Sequence, residues 1–162
     1  MYKVGIITAS DKGYKGERED LSGPLIKEIC EGEGYEVIPV VILPDEELEL
    51  ILGMVNLADV KGCQLILTTG GTGFSSRDVT PEATKSICTK DVPGIPEAIR
   101  AYSMTITKRA MLSRAYSGIY KSTLIINLPG SPKAVKESLE YILDTVKHGL
   151  DILCANDSEC AR

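Results

Sequence analysis

The stretch Leu65–Ala83 reads LILTTGGTGFSSRDVTPEA, and its order decides the fold class. It opens with an apolar run, Leu65-Ile66-Leu67, closed by Thr68 and Thr69. A short apolar run bounded by turn residues fits a buried strand of a parallel sheet. Gly70, Gly71 and Gly73 follow around Thr72, and such a loop lets backbone N–H groups approach a ligand with no Cβ in the way. Ser75, Ser76 and Arg77 add hydroxyls and a guanidinium. Thr80-Pro81-Glu82 then predicts a helix start, with Thr80 as N-cap and Pro81 in the first turn. Strand, glycine loop, polar loop and helix N-terminus together suit an anion such as phosphate. A glycine loop alone also fits a plain tight turn. The dinucleotide fingerprint and the Walker pattern do not fit, because no helix opens directly on the glycines and no Gly-Lys-Ser/Thr is present.

The rest of the chain supports this stretch. Val4–Thr8 reads as a first strand running into the polar turn Ala9–Gly13, one candidate wall of the site at Ser10. Ser22-Gly23-Pro24 starts a helix with Leu25, Ile26, Ile29 and Cys30 at helical spacing. Tyr35–Leu43 reads as the second strand. Asp45 reads first as the cap of the next helix, though it could also face the glycine loop. That helix is expected to turn Leu48, Ile51, Leu52 and Val55 inward. Gly16–Asp20 reads as a charged, mobile loop. Leu112–Tyr120 reads as a loop and short strand, in which Arg114 could reach an anion. Ser122–Leu128 is a second clear buried strand. Pro129-Gly130-Ser131-Pro132 turns it into a last helix with the stripe Val135, Leu139, Ile142, Val146 and Leu150. Strands alternating with helices predict a three-layer α/β/α domain with a mostly parallel central sheet. Both phosphate-like loops, with the Asp45 turn, then lie on one sheet edge.

Composition narrows the chemistry. A length of 162 residues suits a single domain, residues 1–162, with 155–162 expected to be a flexible tail. The net charge of −5 and the lack of a Lys/Arg block speak against nucleic acid. No apolar run approaches the roughly 20 residues of a membrane span, so a cytoplasmic location is expected. Five cysteines, none in a C-x-x-C pair, speak against a disulfide framework or a zinc site. The single histidine, His148, falls on the solvated face of the last helix, so no Ser-His-Asp or Cys-His mechanism has a base. Carboxylates, hydroxyls, amides and a metal remain.

Thr69-Gly70-Gly71-Thr72-Gly73, Arg77-Asp78-Val79-Thr80-Pro81-Glu82-Ala83, Pro93-Gly94-Ile95-Pro96-Glu97 and Leu128-Pro129-Gly130-Ser131-Pro132 together resemble the MogA/MoaB family. The resemblance runs from Val4 to about Leu150. It implies transfer of AMP from Mg-ATP to the phosphate of molybdopterin, with release of pyrophosphate, in molybdenum cofactor biosynthesis. It implies a homotrimer and transient contact with a molybdenum-insertion protein. It places the essential, metal-binding carboxylates at Asp78 and Asp45. It places phosphate contacts at Thr69, Gly70, Gly71, Thr72, Gly73, Ser75, Ser10, Pro129, Gly130, Ser131 and Arg114. Magnesium suits few carboxylates plus substrate phosphates, and Mn²⁺ stays open. The alternatives are a non-catalytic molybdopterin-binding or scaffold protein and a nucleotide pyrophosphate hydrolase.

Overall fold

The computed structural model describes residues 1–159, with side chains as far as Ala155. β4 (Leu65–Thr69) lies inside a seven-stranded sheet, and all five of its residues are buried. Leu65 and Leu67 face one core and Ile66 the other, which is why the run shows no alternation with polar residues. β1 (Lys3–Ala9) and β7 (Thr123–Leu128) flank it in parallel. On the far side of β1 lie β2 (Glu36–Val37) and β3 (Val41–Leu43), also parallel. On the far side of β7 comes β6 (Ser117–Tyr120), antiparallel to β7, and then β5 (Lys90–Asp91), antiparallel to β6.

Helices cover both faces, giving the three-layer α/β/α arrangement expected. α2 (Ser22–Gly32), α5 (Gly94–Met104) and α6 (Pro132–Glu159) pack through Ile26, Ile99 and the stripe from Val135 to Leu150. α3 (Glu47–Val55), the π-helical turn Asn56–Val60 and α4 (Thr80–Ile87) cover the other face through Leu50, Met54, Leu57 and Ala83. α1 (Asp11–Tyr14) is one short turn after β1, where the sequence predicted only a polar turn.

Four expectations change. The second strand is two strands, because Pro39 offers no N–H to the ladder. α3 buries Leu50 and Met54, while Leu48 is 66% and Leu52 56% exposed. Val79, not Thr80, is the N-cap of α4, and Thr80 begins the helix. α6 continues through residues 155–159, where a tail was expected, and residues 160–162 lie outside the described residues.

Register places the site. Thr8 pairs with Thr69 and Thr69 with Leu128, while Ala9 pairs with Leu43. The carboxyl ends of β3, β1, β4 and β7 therefore stand side by side, and the loops that follow them share one edge.

Candidate functional site

A cleft of about 550 Å³ opens at that edge. Its floor is the turn after β4. Gly70 and Gly71 have φ of 90° and 69°, the left-handed region that glycine enters without strain. A Cβ on Gly70 would stand 2.4 Å from the Ala9 carbonyl oxygen, so the neighbouring strand end fixes this residue as well. A Cβ on Gly71 would meet the Thr80 hydroxyl at 2.3 Å and Asp45 Oδ1 at 3.1 Å.

One wall comes from the α3/α4 layer and is acidic. Asp45 does not cap α3; that position belongs to Glu46, without a side-chain bond. Instead Asp45 and Asp11 clasp each other. The Asp11 amide donates to Asp45 Oδ2 and the Asp45 amide to Asp11 Oδ1, both at 3.0 Å. Arg77 grips Asp11 with two donors, at 3.0 and 3.1 Å, and reaches Glu46 at 2.8 Å. That guanidinium, helped by the Asp45 amide, holds the Asp11 carboxyl below its usual range. Burial pushes the Asp45 carboxyl up, and the charges of Asp11 and Asp78 add to the rise. Asp45 Oδ1 and Thr80 Oγ1 are buried with no hydrogen-bond partner. Buried polar atoms without partners are costly and rare, and this pair converges beside Gly71.

The other wall comes from the α2/α6 layer and combines hydroxyls and amides with the Asp20 carboxylate. The Thr8 hydroxyl donates to Asp20 at 2.8 Å, and the Gly23 amide donates to the same carboxylate at 3.0 Å. The Ser22 hydroxyl donates to the Gly130 carbonyl at 2.8 Å, which ties the start of α2 to the loop before α6. Ser131 caps α6, its hydroxyl accepting from the Ala134 amide at 3.2 Å.

A family model described as "Probable molybdopterin binding domain" matches residues 5–148. Molybdopterin adenylyltransferase of Helicobacter pylori is 40% identical over 157 residues, covering 94% of this chain and 88% of the relative. The solved structure of the molybdopterin biosynthesis enzyme MoaB from Thermus thermophilus has a TM-score of 0.89 at 44% identity, covering 94% of this chain and 96% of that one. The tungsten cofactor synthesizing protein MoaB from Pyrococcus furiosus has a TM-score of 0.87 at 39% identity, covering 94% and 97%. The chain belongs to the MogA/MoaB family.

Of the residues the MogA/MoaB resemblance singles out, Ser10, Asp45, Thr69, Gly70, Gly71 and Asp78 line the cleft, as do Gly130 and Ser131. All three hydroxyls among these are already engaged: Ser10 accepts from the Gly13 amide at 2.9 Å, Thr69 donates to the Pro129 carbonyl at 2.6 Å, and Ser131 accepts from the Ala134 amide. Thr72, Gly73, Ser75, Pro129 and Arg114 do not line it. The chain turns away after Gly71, and Arg114 braces the turn from behind. Its amide donates to the Thr72 carbonyl at 2.8 Å. Its guanidinium donates to the Gly73 and Asp78 carbonyls at 2.7 and 2.8 Å, and pairs with Glu82. Ser75 donates its amide to Asp78 Oδ2 at 3.1 Å, closing the loop on that carboxylate. Arg114 is thus spent on carbonyls rather than free for an anion. Thr8 and Arg18 line the cleft without having been singled out. Asp20 and Ser22 line it too, in a region whose sequence matches the family more loosely.

Proposed function

We propose that this chain is a molybdopterin adenylyltransferase that moves AMP from Mg-ATP to the phosphate of molybdopterin. The observation that carries the reading is the two-sided cleft: Asp45 and Asp78 on one wall, amides, hydroxyls and the Asp20 carboxylate on the other, over a glycine floor. A phosphate oxygen of molybdopterin attacks the α-phosphorus of ATP. The bond from that phosphorus to the β-phosphate bridging oxygen breaks, and pyrophosphate leaves with the electron pair. Such transfers need positioning and charge stabilisation more than covalent help. The glycine floor admits phosphate to the backbone, and the clasp with Asp11 holds Asp45 in place.

The residues fit a hard divalent cation. The Asp45 and Asp78 carboxylates supply oxygen donors, and the unpartnered Asp45 Oδ1 marks a carboxylate whose hydrogen bonding within the chain is incomplete. Two carboxylates plus substrate phosphates suit Mg²⁺, although among the described residues no group of three or more His, Cys, Asp or Glu side chains is arranged to hold a metal ion by itself. When bound there with ATP, the ion would neutralise charge on the departing pyrophosphate.

Pyrophosphate release from Mg-ATP, measured with and without molybdopterin, tests the reading. Release that needs molybdopterin supports it. Molybdopterin binding without release would make the chain a binding or scaffold protein. Hydrolysis of ADP-ribose without pterin would make it a nucleotide pyrophosphate hydrolase.

A further inference from the structure

The cleft is acidic, and its ligands are anions. Glu19, Asp20, Asp45 and Asp78 line it against a single basic residue, Arg18. Three arginines are placed around the site, and two are engaged. Arg77 is held by Asp11 and Glu46. Arg114 is held by two carbonyls and Glu82. Arg18 is exposed and has no ion pair or hydrogen bond among the described residues. The backbone on either side of it is nonetheless anchored. Gly16 turns the chain at φ 74°, and two residues beyond Arg18 the Asp20 carboxylate is tied to Thr8 and Gly23. Ser22 then binds the Gly130 carbonyl, which ties the start of α2, just after Arg18, to the loop before α6, and Arg18 lines the same cleft as Asp45.

We propose that Arg18 receives the phosphate that enters without a metal ion, the phosphate monoester of the acceptor. Resting on the proposed transfer, this separates the metal-escorted phosphates at Asp45 and Asp78 from the bare phosphate at Arg18. A polyphosphate can approach Asp45 and Asp78 only with a cation to cancel the repulsion. A bare monoester has no such escort and needs a fixed positive charge. A guanidinium offers paired N–H donors matched to phosphate oxygens, which an ammonium does not.

The experiment measures binding rather than turnover. Molybdopterin affinity is measured in EDTA buffer under anaerobic conditions, and Mg-ATP affinity separately, for wild type, Arg18→Lys and Arg18→Ala. Melting temperature is the control, and it should not move, because Arg18 has no partner to lose. Arg18→Ala should weaken molybdopterin binding by about 10- to 100-fold, the range of one charge-assisted hydrogen-bonding contact. Arg18→Lys should recover part of this, and Mg-ATP affinity should stay within about 2-fold. The wild-type affinity for molybdopterin should fall with salt more steeply than that of Arg18→Ala. Unchanged molybdopterin binding in Arg18→Ala overturns the proposal. So does a loss confined to Mg-ATP, or an equal loss for both ligands. A wild-type protein that binds molybdopterin but releases no pyrophosphate would refute the transfer reaction while leaving the Arg18 test intact.

Discussion

Asp45 is where residue-level chemistry bears most directly on the proposed reaction. Its carboxyl is pushed up by burial and by neighbouring negative charge. A raised pKa in the folded state means that the native protein holds this proton more tightly than the unfolded chain. The contribution to stability is therefore present at low pH and is lost as pH rises through the folded pKa. Asp45→Asn keeps an acceptor for the Asp11 amide and removes the charge. Its melting temperature at pH 7 should exceed that of wild type, and the gap should close below about pH 4. Single-turnover formation of adenylated molybdopterin at saturating Mg-ATP should fall by two to four decades, about 3–5 kcal/mol of transition-state stabilisation. Asp78→Asn should lose turnover similarly. A variant at Asp45 with near-normal rate would remove it from the chemistry, and a lowered melting temperature would contradict the burial argument. The residues alone favour Asp45 as the cap of the next helix, and only the family resemblance moves it into the site. The clasp with Asp11, 34 positions away, has no local pattern to reveal it.

Elements were legible where burial on both faces or a long period left one solution. β4 and β7 are short apolar runs between turn residues, and α6 holds its stripe over four turns. α3 is different, because apolar residues occur all round Leu48–Val55 and periodicity cannot choose a face. Packing chooses Leu50 and Met54 against Leu57 and Ile66. Leu50→Ala should cost about 2–5 kcal/mol in denaturant unfolding. Leu48→Ala should stay within about 0.5 kcal/mol, and comparable losses at the two positions would reverse the face. The glycine loop follows the same logic at shorter range. A side chain at Gly71 would strike Thr80 and adopt a left-handed φ, so it disturbs fold and site together. Gly70→Ala should likewise lower the melting temperature, since the obstacle is the Ala9 carbonyl and backbone cannot swing aside. Gly130→Ala has its nearest neighbour at 3.6 Å. It should fold normally and weaken phosphate binding by crowding the wall. Loss of stability at Gly130 with none at Gly70 would contradict this account of the loops.

At the scale of the whole molecule, topology does what no single motif can. The parallel order β3-β1-β4-β7 brings four strand ends together, and the helices that follow them open on both sides of the sheet. The alternation of strands and helices made the layers and the shared edge legible. Which loop residues face the cleft was not legible, because it depends on where the chain turns after Gly71 and on Arg114 bracing it from behind. Among the described residues no helix is long and apolar enough to cross a membrane. The homotrimer implied by the family remains a proposal, and the surface suggests where to test it. Met104, Ile106, Met111 and Leu112, at the end of α5 and along the 3₁₀ turn Lys108–Leu112, are 44%, 46%, 60% and 47% exposed. Association would remove such side chains from water, at about 25 cal/mol per Å² of apolar surface before the costs of binding. A charge there would have to be desolvated without a partner. Sedimentation equilibrium at micromolar concentration should give three times the monomer mass for wild type. Met111→Asp should shift the population toward monomer without changing the far-ultraviolet circular dichroism spectrum. A wild-type monomer would sink the trimer, and a trimer undisturbed by Met111→Asp would move its interface to another face.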